Sequence, residues 1–388
     1  MSSPRSAVIV AALRTPIGRA HAEKGCYRDV RADDLSADLM ITLMERAKVP
    51  AKAIEDVHWG CVRQEGEQGY DVARQAVLCA GFPIEVPGTT ANRNCGSSLQ
   101  ALHQAAQSIA ADCEDVQIAG GVEHMHHLPF DLSYVPSPRF QYRHSPATLH
   151  MGLTAENLAR KYKISRRAQD EWAYRSHRRA VEATESGAFA GEIAPTWGRD
   201  EAGRRVKLAI DQCPRKDTSL EALAALTPAF MPEGGTVTAG NASPLNVAAA
   251  ALLVMSADKA NEWGLKPLVR VKAMAVAGVD PAVMGIGPVP ATHKALARAG
   301  ISLGEIGLIE INEAFAAQTL ACVQLLGVDP EKVNVRGGAI ALGHPLGASG
   351  ARIAITLIHA MRTRGVRYGL ATMCIGAGQG IATIFEAV

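Results

Sequence analysis

At 388 residues, 48% of them hydrophobic and 20% charged, the chain holds enough apolar material for two or three packed units and is a poor candidate for disorder. A net charge of +2, with no Lys/Arg block and no aromatic-basic interleaving, excludes a nucleic-acid groove, so any anionic ligand needs a local patch. The eight cysteines form no CxxC pair, no apolar run approaches the roughly twenty residues of a membrane span, and the apolar start before Arg14 is too short for a signal peptide, so a soluble cytoplasmic protein is expected.

Residues 6–12 read as a buried strand, and 33–48, with Leu35, Leu39, Leu43 and Ala47 at helical spacing, as an amphipathic helix. A strand over 57–62, a helix over 71–80 and a strand over 89–94 follow. That strand turns at Cys95 into a helix over 97–111, and a strand over 117–121 closes the unit. From about 122 to 237 the chain is rich in His, Arg, Pro and Trp, with one helical stretch over 155–190. It reads as an insertion placed to cap a site and bind the long part of a substrate, an ordinary surface excursion being the alternative. The C-terminal part repeats the first order: strand 268–275, helix 291–299, strand 307–312, helix 314–326, a turn through Gly343 and His344, helix 350–362, and strands 368–374 and 380–385. Element order, and the acidic leads into strands at Ala53-Ile-Glu-Asp-Val-His-Trp-Gly and Glu305-Ile-Gly-Leu-Ile-Glu-Ile-Asn, predict an α/β duplication. The expected division is an N-terminal half over 1–121, completed by about 238–267, an insertion over 122–237, and a C-terminal half over 268–388.

The chemistry gathers on four short segments. Cys95 follows a strand and precedes Gly96-Ser97-Ser98, so its sulfur is expected at a helix N-terminus, where the dipole and free amides favour a thiolate. Lowering its pKa from about 8.5 to about 7 would ionise about half of it; the other reading is a small buried apolar residue. His344, on a Pro-stiffened turn flanked by glycines, is the candidate base. Cys374 ends a strand before the Gly376 turn, whose amides can face a reacting carbonyl. A second thiol suits a reaction that must also protonate or deprotonate a carbon acid. Asn312, between a strand and a helix, is a candidate donor to a thioester oxygen or a holder of water, and Glu313 reads as a helix N-terminal carboxylate.

Asn-Arg-Asn-Cys95-Gly-Ser-Ser, Asn312-Glu-Ala-Phe, Gly-Gly-Ala-Ile-Ala-Leu-Gly-His344-Pro and Cys374-Ile-Gly-Ala-Gly-Gln-Gly, in this order, resemble the thiolase family along essentially the whole chain. Arg14-Thr-Pro-Ile-Gly, Val30-Arg-Ala-Asp-Asp-Leu-Ser and Gly121-Val-Glu-His-Met are most similar to the degradative 3-ketoacyl-CoA group that forms the beta subunit of bacterial fatty-acid oxidation complexes. The resemblance implies the thiolase fold, duplicated five-layered α/β/α/β/α halves with an inserted loop domain. It implies that Cys95 takes the acyl group, His344 deprotonates it, and Cys374 exchanges a proton with the acetyl-CoA α-carbon. One oxyanion hole would use His344 with a water on Asn312, the other the amides of Cys95 and Gly376. It also implies coenzyme A contacts from His150, Met151, Arg215, Phe230, Ser243, Leu245 and Phe315. Met151 and Phe230 read equally as core, and Arg215 as a solvated charge.

The implied activity is thiolytic cleavage of a 3-ketoacyl-CoA by coenzyme A, with coenzyme A as substrate and no cofactor. The implied assembly is a homodimer, or a heterotetramer with a fatty-acid oxidation alpha subunit. The alternatives are a biosynthetic acetoacetyl-CoA thiolase and a non-catalytic acyl-CoA-binding subunit; a carrier-protein synthase would want a histidine where Asn312 stands. Three positions depart from the family pattern: Asn246-Val247 in place of a usual Asp-Gly, Val335-Arg336 in place of a commoner Asn, and His126 in place of Gly. The resulting His124-Met-His-His cluster has no acidic or cysteine ligand at metal spacing, so no metal is expected.

Overall fold

The computed structural model describes residues 5–128 and 135–388, so residues 1–4 of the expected N-terminal half and 129–134 of the expected insertion lie outside the described residues. The chain opens with β1 (Ala7–Arg14), β2 (Gly18–Arg19), α1 (Ala32–Ala47), β3 (Asp56–Gly60), α2 (Val72–Cys79), β4 (Thr89–Ala91), α3 (Ser97–Ala110) and β5 (Val116–His124). There follow α4 (Pro138–Arg143), α5 (Met151–Lys161), α6 (Arg166–Glu185), β6 (Thr196–Arg199), β7 (Arg205–Leu208) and α7 (Leu220–Ala224). Next are β8 (Asn246–Ser256), α8 (Ala257–Glu262), β9 (Val269–Gly278), α9 (Pro288–Ala299), β10 (Leu308–Ile311), α10 (Ala316–Leu326), α11 (Ala339–Leu342), α12 (Leu346–Arg364), β11 (Tyr368–Ile375) and β12 (Gln379–Glu386).

The expected single helix over 155–190 is two helices. The backbone leaves helical geometry at Tyr162, Lys163 takes a left-handed φ of 55°, and the Ser165 hydroxyl accepts from the Ala168 amide to start α6. β8 was not expected as a strand. Its Ala-rich run is buried at every position, a pattern that periodicity cannot tell from a buried helix.

Among the described residues ten strands share one hydrogen-bonded sheet, in the order β10-β11-β12-β9-β1-β8-β5-β3-β4, with β2 beside β8. The duplication is explicit in this order. In the first half β3 runs parallel to β5, and β5-β8 and β8-β1 are antiparallel; in the second β10 runs parallel to β11, and β11-β12 and β12-β9 are antiparallel. The halves join where Val8 and Ile9 of β1 pair with Arg270 and Val269 of β9. Strand alternation sends successive residues to opposite faces. Thus Ala249, Ala251 and Leu253 of β8 pack with α1 and α2, whereas Ala250, Leu252 and Val254 pack with α3 and α12. In the second half Ile381 and Phe385 of β12 join that same central cluster, and Ala382 and Ile384 pack outward on α9 and α10. The five layers are therefore α1 and α2, first-half strands, α3 with α12, second-half strands, and α9 with α10.

The central layer is tight. A Cβ on Gly350 of α12 would stand 2.5 Å from the Leu99 amide nitrogen of α3, and one on Gly60 of β3 2.3 Å from that of Ser98. The Ala351 amide donates to Ser98 Oγ across the same contact at 2.9 Å. Gly350→Ala is expected to cost about 1–3 kcal/mol by overpacking; a denaturant midpoint unchanged from the parent would refute the close contact.

Candidate active site

Cys95 stands two residues ahead of α3, on a turn that the sequence closes by itself. Asn94 adopts a left-handed φ of 44°, the Gly96 amide donates to Arg93 O at 3.0 Å, and Ser97 Oγ donates to Asn94 O at 2.6 Å. His344 stands two residues ahead of α12, so the two residues occupy corresponding places in the two halves. Their helices start side by side through the Ser98–Ala351 contact.

The turn after β11 comes to meet the Cys95 turn. Gly376, Ala377 and Gly378 connect β11 to β12, with left-handed φ angles of 65° at Ala377 and 84° at Gly378. Asn94 Nδ2 donates to Gly376 O at 3.3 Å, and Arg93 Nη1 to Gln379 Oε1 at 3.0 Å. The backbone amides of Gly376 and Cys95 both face the Cys95 sulfur. Cys374, buried at the end of β11, is near enough to Cys95 that charge on one raises the other.

The electrostatics differ from the expectation for a free thiolate. Burial pushes the Cys95 thiol up to about 11 against the pull of the Gly376 and Cys95 amides, so the helix terminus does not leave it ionised at neutral pH. Burial, then neighbouring Cys95 and Cys322, hold Cys374 well above the ordinary thiol range. His344 is driven the other way, to about 3, by burial and then by Arg352, which keeps its imidazole neutral. Arg352 is itself buried, 3.5 Å from Glu310, whose carboxyl burial raises to about 8.

His344 is fixed from three sides. Its amide donates to Asn246 Oδ1 at 2.9 Å, its Nδ1 lies 2.6 Å from Ser349 Oγ, and Asn312 Nδ2 lies 3.4 Å from Nε2. Asn312 is held at the end of β10 by donation of its amide to Thr372 O on β11 at 3.1 Å. The Asn246 departure is thus absorbed: its Oδ1 holds the His344 loop while its Nδ2 donates to Gly18 O at 3.0 Å. Arg336 is likewise placed, buried 3.5 Å from Glu192, which also pairs with Arg14 at 2.7 Å. Glu313 does not cap α10. It is buried and accepts from Trp172 Nε1 at 3.0 Å, Ser176 Oγ at 2.7 Å, Asn334 Nδ2 at 2.9 Å and the Ile340 amide at 3.2 Å, clamping α6 to the chain ahead of His344.

A cavity of about 590 Å³ is lined by Arg19, Lys24, Arg215, His177 and Leu245, among others, and among the described residues by no carboxylate. Of the seven expected coenzyme A contacts it takes Arg215 and Leu245; Ser243 falls between the lining residues Ala242 and Pro244. Ala242 also packs in an apolar cluster with Met151, Phe315 and Cys374, which joins the cavity wall to the second thiol. Phe230 stands edge-on to Phe315 at 5.9 Å, and Met151 Sδ would lie 3.4 Å from a Cβ at Gly376. His150 is exposed at the start of α5. Cys95, His344 and Cys374 are not among the lining residues. Arg19 and Lys24 escaped sequence reasoning because isolated cations belong to no motif. Sequence reasoning gave no role to Ser349, in the turn ahead of the expected helix over 350–362, or to Glu123, at the start of the expected insertion, whose carboxylate accepts from the Gly347 amide at 2.8 Å near the start of α12.

The histidine cluster does have an acidic neighbour, contrary to its linear spacing: Glu67 folds in from a distant turn, and its ligand atom lies within 4.8 Å of those of His124 and His127. Each is committed to protein partners. His127 meets Glu67 Oε1 at 3.0 Å and Arg28 O at 2.8 Å, and His124 meets Tyr27 O at 3.2 Å and the His127 amide at 3.0 Å.

Comparison with known proteins shows what the whole chain is similar to. Residues 7–258 match the thiolase N-terminal domain and 265–387 the thiolase C-terminal domain. The chain is 55% identical over 385 residues to a 3-ketoacyl-CoA thiolase of Pectobacterium carotovorum subsp. carotovorum, covering 98% of this chain and 99% of that one. It is 53% identical to the 3-ketoacyl-CoA thiolase of Aeromonas salmonicida, covering 99% of this chain and 100% of that one. The crystal structure of the Bacillus anthracis acetyl-CoA acetyltransferase superposes with a TM-score of 0.90 at 41% identity, covering 100% of both chains.

A thiol raised to about 11 should be alkylated by iodoacetamide at a rate that keeps climbing as pH rises past about 9, because each unit multiplies the thiolate until that value is reached. Peptide mass spectrometry of Cys95 over a pH series checks this; a plateau near neutrality would show a preformed thiolate.

Proposed function

Because the chain belongs to the thiolase family, we propose that it is an acetyl-CoA C-acyltransferase of fatty-acid β-oxidation, cleaving a 3-ketoacyl-CoA with coenzyme A through an acyl group on Cys95. The observation that carries this reading is the tie between the Cys95 turn and the Gly376 turn, which sets two amides toward one sulfur with Cys374 beside it.

His344 takes the Cys95 proton as the sulfur attacks the C3 ketone. A neutral imidazole and an un-ionised thiol favour transfer in the same step as attack over a resting ion pair. The C2–C3 bond breaks, its electron pair leaves as the enolate of acetyl-CoA, and the enolate carbon takes the proton of Cys374. The Cys374 thiolate then removes the thiol proton of an incoming coenzyme A, whose sulfur attacks the acyl carbon. Cys95 departs and recovers its proton from His344. Oxyanion charge is met in one step by the Cys95 and Gly376 amides and in the other by His344 with a water on Asn312; a single such donor is worth about 10²–10³ in rate.

Residues 122–237 act as the loop domain for coenzyme A, between an N-terminal half over 1–121 completed by about 238–267 and a C-terminal half over 268–388. Arg19, Lys24 and Arg215 receive the phosphates in the cationic cavity, and Met151, Phe230, Phe315, Ser243, Leu245 and His150 line the path of the pantetheine and nucleotide. The chemistry calls on coenzyme A as substrate and on no metal or redox cofactor. Among the described residues no helix is long and apolar enough to cross a membrane; we place the protein in the cytoplasm as a homodimer, or paired with a fatty-acid oxidation alpha subunit. The second reading, a biosynthetic thiolase, has the support of the 41% identity to an acetyl-CoA acetyltransferase, against 55% to a 3-ketoacyl-CoA thiolase.

Cys95→Ala should abolish turnover and the acyl-enzyme seen by mass spectrometry. Cys374→Ala should lower cleavage by about 10²–10⁴-fold while Cys95 is still alkylated; unchanged turnover in Cys95→Ala would end the assignment. Activity on C12 or longer ketoacyl-CoAs separates the degradative reading from a biosynthetic enzyme confined to C4.

A further inference from the structure

The reading of His344 as a base leaves open which ring nitrogen carries its single proton. Two contacts are unequal. Ser349 Oγ lies 2.6 Å from Nδ1, a short hydrogen bond, whereas Asn312 Nδ2 stands 3.5 Å from Nδ1 and 3.4 Å from Nε2, astride the ring and too long to choose between them. Ser349 is fully buried in the first turn of α12, and its hydroxyl has one proton to give. That proton goes to the Pro345 carbonyl at 2.8 Å, a donation back along the helix. With its hydrogen committed, Oγ meets Nδ1 as an acceptor, and the ring proton sits on Nδ1. The opposite arrangement requires the hydroxyl to abandon Pro345 and donate to Nδ1, and it leaves Nε2 protonated and unable to accept.

We propose that Ser349 is a positioning residue that holds the His344 proton on Nδ1 and so keeps Nε2 open to receive the Cys95 proton. The burial of both side chains keeps water from offering Nδ1 another acceptor, and the field of Arg352 disfavours a second proton on the ring, so the choice is between two tautomers. The inference rests on the base role given to His344 above, and the two are separable by experiment.

In the full-length protein labelled with ¹⁵N-histidine, and with His344→Gln used only to assign the signal, the His344 shifts should show a protonated Nδ1 and a lone pair on Nε2. A resonance pattern with the proton on Nε2 in the parent protein overturns the proposal without recourse to a Ser349 variant. Ser349→Ala would leave Nδ1–H as an unpaired buried donor. It should move the signal toward the Nε2–H form and slow alkylation of Cys95 near neutral pH by about tenfold or more, with circular dichroism unchanged. Unaltered shifts and an unaltered rate in Ser349→Ala also overturn it. If the parent shows Nδ1–H but Cys95 is alkylated normally in His344→Ala, the tautomer assignment stands and the base role falls.

Discussion

The crossing of α3 and α12 constrains the rest of the molecule. No Cβ fits where Gly350 of α12 meets Leu99, nor where Gly60 of β3 meets Ser98, and Ser98 Oγ accepts from the Ala351 amide across the helix contact. Because both helices are buried between two layers of strands, their first turns cannot slide without unpacking the central core of Leu99, Leu102, Ile353 and Leu357. The residues that precede each helix, Cys95 in one half and His344 in the other, inherit that fixed spacing.

A buried site of this kind has an electrostatic consequence. Removing water raises thiols and lowers imidazoles, so both Cys95 and His344 are held in their neutral forms. The amides of Gly376 and Cys95 face the Cys95 sulfur and pull against that burial. The same burial makes the surrounding polar contacts matter more: Asn246, Ser349 and Asn312 are each buried, and each touches His344.

The strand and helix order of both halves was legible because amphipathic helices and short apolar strands carry their periodicity openly, as at Leu35, Leu39 and Leu43. β8 was not, since a run of alanines buried on both faces has no period to read. The break between α5 and α6 had a local sign in the Ser165 cap, hidden in a strongly helical composition. Glu313 shows the harder case. A glutamate ahead of a helix suggests a terminal carboxylate, yet Trp172, Ser176 and Asn334 arrive from distant parts of the chain to bury it.

By itself the sequence determined which residues stand at strand ends and helix starts, and so which chemical types are available: two thiols, an imidazole and an amide on four glycine-rich or turn-forming segments. Those are local properties, written in neighbouring residues. Tertiary structure alone decided the ionisation of Cys95, the partner of each His344 nitrogen, the cations gathered from Arg19, Lys24 and Arg215, and the acid that joins the histidine cluster. Burial and through-space contact set these, and both depend on residues far apart in the chain meeting across the two halves.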